Sequence, residues 1–153
     1  MGEPGEPFLR ALHRCLTLRV PSMPSYPLRI LLVEDHPFQL LATQCLLRNF
    51  GFELLTPTEN AEQAIRSMTL ADTPFDILLC DQCLPDLPGL ELIEIASRRR
   101  FITSAILLSG LPVAELAALQ AHAVARCLPL LGYLSKPLNN DELSRLIHRI
   151  PHS

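Results

Sequence analysis

"FDILLCDQCLPDLPG", residues 75–89, decides the reading of the fold. Ile77, Leu78, Leu79 and Cys80 form a continuous apolar run that Asp81 closes. A short run of this kind, bounded by turn residues, fits a strand covered on both faces. Pro85, Pro88 and Gly89 then punctuate the chain. Asp81 thus stands where a buried strand ends. Taken alone it reads as a metal ligand, an acid/base group, a nucleophile or the first residue of a turn. A lone Asp at a strand end is most often the last of these.

The same rhythm runs outward on both sides. Upstream, "LRILLVED" (28–35) is a second apolar run that ends in acids. "PFQLLATQCLLRNF" (37–50) then has helical spacing, with Gly51 as its stop. "FELLTPT" (52–58) is short and strand-like. "NAEQAIRSMTLA" (60–71) is helical, with Asn60 as cap and Ala61, Ala64, Ile65 and Met68 facing inward. Downstream, "GLELIEIASRRR" (89–100) is a helix with Leu90, Leu92 and Ile93 inward. "SAILLSG" (104–110) is a third buried strand, and "PVAELAALQAHAVARCL" (112–128) is a long Ala-rich helix. "LLGYLSKP" (130–137) reads as the last strand. "NNDELSRLIHRI" (139–150) closes with Asn139 or Asn140 as cap and Glu142 in the first turn. Five strand–helix alternations in about 120 residues imply right-handed crossovers and a parallel sheet. The expected fold is α/β: a doubly wound, five-stranded parallel sheet over residues 28–150.

Residues 1–27 differ. Pro4, Pro7, Pro21, Pro24 and Pro27 interrupt them, with room for a short amphipathic helix between Phe8 and Val20. The expectation is a poorly ordered extension or a short helix, carrying no pocket group. A chain begun at Met23 is expected to keep both fold and function. Composition excludes several classes. The formal charge of −3 argues against direct nucleic-acid binding and against an anionic membrane surface. No apolar stretch reaches the roughly 20 residues of a membrane span. Five scattered cysteines, at 15, 45, 80, 83 and 127, fit reduced thiols in a cytoplasmic protein better than a disulfide framework.

In parallel sheets of this class, ligands bind beyond the carboxyl ends of the strands. Four strand ends deliver Glu34-Asp35, Asp81, Ser109 and Lys136 to one edge. Three carboxylates brought together repel one another. A hard divalent cation compensates them, and Mg2+ needs only a few protein oxygens because it keeps several waters. Lys136 adds a fixed positive charge and Ser109 a hydroxyl. Metal, ammonium and hydroxyl around one free carboxylate make a pocket for a phosphoryl group. That carboxylate can attack phosphorus and form an aspartyl phosphate. Singly, each group has a plainer reading as a helix cap, a turn or a solvated lysine. Their joint order is what chance does not supply.

These motifs resemble the receiver domain of two-component response regulators, over about four fifths of the chain. "ILLVEDHP" resembles that family's first strand with its acidic pair, and "DILLCDQCLPDLPGLELI" its phosphoacceptor strand and loop. "AILLSG" and "GYLSKP" resemble its switch strand and its lysine strand. The resemblance implies a flavodoxin-like (βα)5 fold and Asp81 as phosphoacceptor. It implies Mg2+ held by Asp35, Asp81 and the Cys83 carbonyl, with Glu34 helping through water. Ser109 and Lys136 would contact the phosphoryl group, Tyr133 would be the switch aromatic, and Lys136-Pro137 would be cis. A sensor histidine kinase or histidine phosphotransfer protein would be the donor. An output partner or a second copy would dock on the face made by the fourth helix, fifth strand and fifth helix. The chain would be no enzyme beyond its own phosphorylation and dephosphorylation.

Two other functions compete. A degenerate receiver would bind proteins without phosphate, which the intact acids, Ser109 and Lys136 disfavour. An aspartyl-phosphate hydrolase would need an acid at position 83, where Cys83 stands. The C-x-x-C of Cys80 and Cys83 begins on a strand, whereas redox pairs begin a helix, so Cys80 reads as a small core residue. On the fourth helix, Val113, Leu116, Ala117, Gln120 and Val124 are expected inward. Glu115, Ala118, Leu119, His122 and Arg126 are expected outward.

Overall fold

The computed structural model describes residues 27–150. The expected extension, with its Phe8–Val20 helix, falls outside the described residues except for Pro27. Five strands alternate with five helices: β1 (Arg29–Val33), α1 (Pro37–Asn49), β2 (Leu54–Thr58), α2 (Ala61–Leu70), β3 (Phe75–Asp81), α3 (Gly89–Arg98), β4 (Ile102–Ser109), α4 (Val113–Ala125), β5 (Leu130–Ser135) and α5 (Asn140–Ile147). All neighbouring strands pair in parallel, in the order β2-β1-β3-β4-β5. The expected doubly wound sheet is the observed one.

Burial explains the apolar runs. Ile30, Leu32, Ile77, Leu79, Ile106 and Leu108 pack on one face with Leu40 and Leu47 of α1 and Leu143 and Leu146 of α5. Leu31, Val33, Leu78, Cys80 and Leu107 pack on the other face with α2 and α3. Alternate residues of one strand thus serve opposite layers, as strand geometry requires. Helix ends follow their local chemistry. Pro37 opens α1, where its missing N–H costs nothing. Gly51, at φ 104°, takes the left-handed conformation that ends it. Asn60 caps α2 by accepting from Gln63 N, and Asn139 caps α5 by accepting from Asp141 N and Glu142 N.

Helix α4 departs from expectation. Leu116 and Ala123 are buried and Leu119 packs against the second core, whereas Val113 and Val124 are 73% and 71% exposed. Ala117 is exposed as well. The inward face therefore runs through 116, 119 and 123, rotated from the expected one. A helix made mainly of Ala, Leu and Val is apolar all round, so spacing alone does not choose its buried side. The sheet register adds a second irregularity. Ala105 faces Leu130 but Ile106 faces Gly132, which leaves Leu131 as a bulge in β5. The Leu131 carbonyl accepts from Arg149 Nη1 at 2.9 Å.

The topology also fixes where ligands can sit. The order reverses between β1 and β3, the place where sheets of this class form a ligand crevice beyond the carboxyl ends of their strands. The chain leaving β3 is pressed against the start of α3. Gly89 N donates to the Gln82 carbonyl at 2.9 Å. A Cβ on Gly89 would strike the Asp81 carbonyl oxygen and come within 3.0 Å of the Asp81 carbonyl carbon and Gln82 Cα. All three are backbone atoms, which cannot rotate away. Gly89→Ala is therefore expected to lower the unfolding free energy by about 1–3 kcal/mol, the usual range for overpacking. An unchanged urea midpoint would show that the β3–α3 junction has slack.

Candidate functional site

Glu34 and Asp81 follow paired positions on neighbouring strands. Val33 of β1 sits opposite Cys80 of β3, so the next residue on each strand projects into the crevice. Both carboxylates are buried, and Asp35 is half-buried beside them. Oxygen atoms of Glu34, Asp35 and Asp81 all lie within 4.8 Å of one another. Lys136, carried in just beyond β5, supplies the balancing charge. Its Nζ lies 2.6 Å from Glu34 Oε2, 2.9 Å from Asp81 Oδ2 and 3.0 Å from Gln39 Oε1. An ammonium has three N–H donors, and all three are used. The Lys136-Pro137 bond that follows is cis.

Asp81 is also held by its own turn, since Cys83 N donates to Oδ1 at 3.1 Å. Glu34 Oε1 accepts from His36 N at 3.3 Å. Among the described residues, Asp35 has no hydrogen-bond or ion-pair partner. Three carboxylates against one ammonium leave an excess of negative charge, and the half-buried Asp35 is unspent. A donor set of hard oxygens with such an excess fits a hard divalent cation such as Mg2+.

Burial pulls the Lys136 ammonium toward deprotonation, but hydrogen bonds and charges from Glu34 and Asp81 outweigh it and raise its pKa. The stabilisation this implies is complete below the ordinary Lys value of about 10.4 and is lost as pH rises through the raised one. Burial first, and the Asp81 charge second, push the Cys80 thiol far up. Cys80 is thus a protonated core residue whose Sγ lies 3.8 Å from the Gly89 carbonyl. Cys83 is exposed while Cys80 is buried, and the two thiols are not joined in a disulfide.

Not every expected site residue converges. Ser109 is buried at the end of β4, but its Oγ accepts from Leu111 N at 3.0 Å rather than reaching Asp81. Tyr133 pairs across with Leu107 and packs half-buried against the α2–α3–α4 layer. Two contacts escaped the sequence reading. Gln39 is 97 residues from Lys136, and Asp86 accepts from the Ala61 and Glu62 amides across 25 and 24 residues. No local pattern links such distant partners. Removing the ammonium while keeping the bulk, as in Lys136→Met, leaves Glu34 and Asp81 without a cation. The fold should lose about 1–3 kcal/mol, the cost of stranding buried polar groups. Chemical denaturation in metal-free buffer measures this, and equal stability would mean that water enters the crevice freely.

A family model described as "Response regulator receiver domain" matches residues 30–148. The chain belongs to this family. The receiver is 29% identical over 123 residues to "Cell cycle response regulator CtrA" of Brucella ovis and of Brucella abortus. That alignment covers 80% of this chain and 50% of each relative, so the chain spans about half the length of the curated relatives it matches. Solved receivers share the fold. A signal receiver domain of an HD domain-containing protein from Pseudomonas fluorescens Pf-5 is 26% identical, with a TM-score of 0.64 over 82% of this chain and 94% of that one. A receiver from Clostridium thermocellum is 23% identical, with a TM-score of 0.65 over 80% and 93% of the two chains. The phosphoacceptor class of function follows from the family.

Proposed function

We propose that this receiver takes a phosphoryl group on Asp81 from a histidine donor, either a sensor kinase or a phosphotransfer protein. The observation that carries the assignment is the buried Asp81 carboxylate, held 2.9 Å from Lys136 Nζ amid the acid cluster. In the step, an Asp81 carboxylate oxygen forms the bond to phosphorus as the phosphorus–nitrogen bond of the donor histidine breaks. The imidazole leaves and takes up a proton from solvent. Lys136 turns an N–H from its resting acceptors toward a phosphoryl oxygen, which keeps the new charge paired. Asp35, Asp81 and the Cys83 carbonyl would hold Mg2+, with Glu34 behind a coordinated water. When bound, Mg2+ supplies positive charge to the phosphoryl oxygens. Attack of water on phosphorus reverses the modification and restores the Asp81 carboxylate.

Ser109 is the group to turn toward the phosphoryl oxygen, exchanging its contact with Leu111 for the new one. Tyr133, on the same face of the sheet, would then move into the vacated space. A surface groove bordered by Val113, Gln120, Tyr133, Glu142 and Arg145 lies over α4, β5 and α5. That face suits an output partner or a second copy, which would read the change. Residues 28–150 form the functional unit in this reading, because Glu34 to Lys136 contain every group it uses. No helix among the described residues is long and apolar enough to cross a membrane. A cytoplasmic site of action accords with five scattered cysteines that suggest no disulfide framework.

Acetyl phosphate with Mg2+ should add one phosphoryl group to the intact protein, and Asp81→Asn should add none while melting as a folded domain. Undiminished labelling of that variant would remove Asp81 from the nucleophile role. Asp35→Asn should weaken Mg2+ binding, with unaltered affinity counting against its place in the site. Beryllofluoride, a mimic of the acyl phosphate, should shift amide resonances in β4, β5 and α4. Shifts confined to the crevice would mean that the α4 region does not respond.

A further inference from the structure

The loop that leaves Asp81 is pinned by more than its own turn. At its start, the Gln82 side chain accepts from Leu90 N at 2.9 Å and ties the chain to the first turn of α3. Further along, Asp86 reaches a different helix. Its Oδ1 accepts from Ala61 N and its Oδ2 from Glu62 N, both at 3.0 Å. These amides open α2, and a helix cannot satisfy its own first N–H groups. Asn60, the cap of α2, covers Gln63 N instead, so the two side chains divide the task. Only Leu84 and Pro85 separate Asp86 from Cys83. Proline fixes one of the few torsions in that link. Leu84 and Leu87 pack half-buried against the core, which limits the remainder.

We propose that Asp86 is a positioning residue for metal binding, anchoring the loop to α2 and thereby fixing where the Cys83 carbonyl stands. The proposal rests on the reading above in which that carbonyl is a metal ligand. An anchored loop pays less ordering cost when the ion arrives, and affinity rises accordingly. Coupling of this kind is reciprocal. If the anchor favours the ion, the ion must favour the anchor, and the start of α2 should feel its arrival. A bond that only stabilised α2 would carry no such signal. Asp86 is suited to the task because its charge also complements the positive end of the helix dipole. Burial opposes that charge, but the amides of Ala61 and Glu62 hold its pKa below the ordinary value. The anchor is thus ionised at neutral pH.

Calorimetric titration of the full chain with Mg2+ alone tests the proposal. Asp86→Ala should bind about tenfold more weakly, the low end of losses seen when partners behind metal ligands are removed. Asp86→Asn keeps one acceptor oxygen and should fall between. A second measurement needs no substitution. Mg2+ should slow hydrogen exchange at the Ala61 and Glu62 amides of the parent chain, and unchanged exchange there overturns the coupling. Asp35→Asn separates the layers. If it loses Mg2+ while Asp86→Ala keeps parental affinity, the metal site stands and the anchor falls. A parent chain with no saturable Mg2+ binding overturns both.

Discussion

Like charges held about 4 Å apart at a protein surface repel by about 4 kcal/mol, and this receiver holds three carboxylates at such distances. The topology makes the crowding unavoidable. Where the strand order reverses, β1 and β3 lie side by side, and each ends in an acid one step past the paired residues Val33 and Cys80. One ammonium answers them. Lys136 bonds Glu34 and Asp81 together, reaching Glu34 across 102 residues of chain. That bridge closes the far edge of the sheet onto its centre. It leaves negative charge over, and the site is therefore stable yet receptive to a cation.

Around this compromise the neighbouring parts serve to hold Asp81 still. Cys80 is buried directly before it and Gly89 presses against its carbonyl. Gln82 and Asp86 tie the following loop to two different helices. The acceptor role proposed for Asp81 calls for such support, since a carboxylate free to swing would lose a reactive geometry. Ser109 and Tyr133, the proposed switching pair, are placed differently. They lie on the strands beyond, Ser109 Oγ accepting from Leu111 N and Tyr133 packing half-buried against the second core.

The sheet was legible because its strands are buried on both sides, and a continuous apolar run such as "ILLC" (77–80) has few other uses. Acids at the ends of those runs were legible only together, because each alone reads as well as a turn residue or a helix cap. The caps at Asn60 and within Asn139-Asn140 followed from local hydrogen bonding, and the structure places the second at Asn139. The buried face of α4 was not legible. Its Ala and Leu residues surround the axis, and only the sheet beneath selects Leu116 and Ala123. The contacts of Gln39 and Asp86 were hidden for another reason. An exposed polar side chain has many acceptable partners, and the tertiary fold alone brings Lys136 or the α2 amides within reach. The bulge at Leu131 likewise belongs to the pairing of two strands, and neither sequence carries it alone.

An aspartyl phosphate is an acyl phosphate, and borohydride reduces its carbonyl carbon to an alcohol as phosphate leaves. The modified aspartate becomes homoserine and keeps a permanent mark of where the phosphoryl group was. Peptide mapping of the full chain after phosphorylation with acetyl phosphate and Mg2+, followed by borohydride, tests the central assignment most directly. Homoserine should appear at position 81 and nowhere else. Reduction at position 35, or a phosphorylated chain with no homoserine at all, would contradict the assignment of Asp81 as the acceptor.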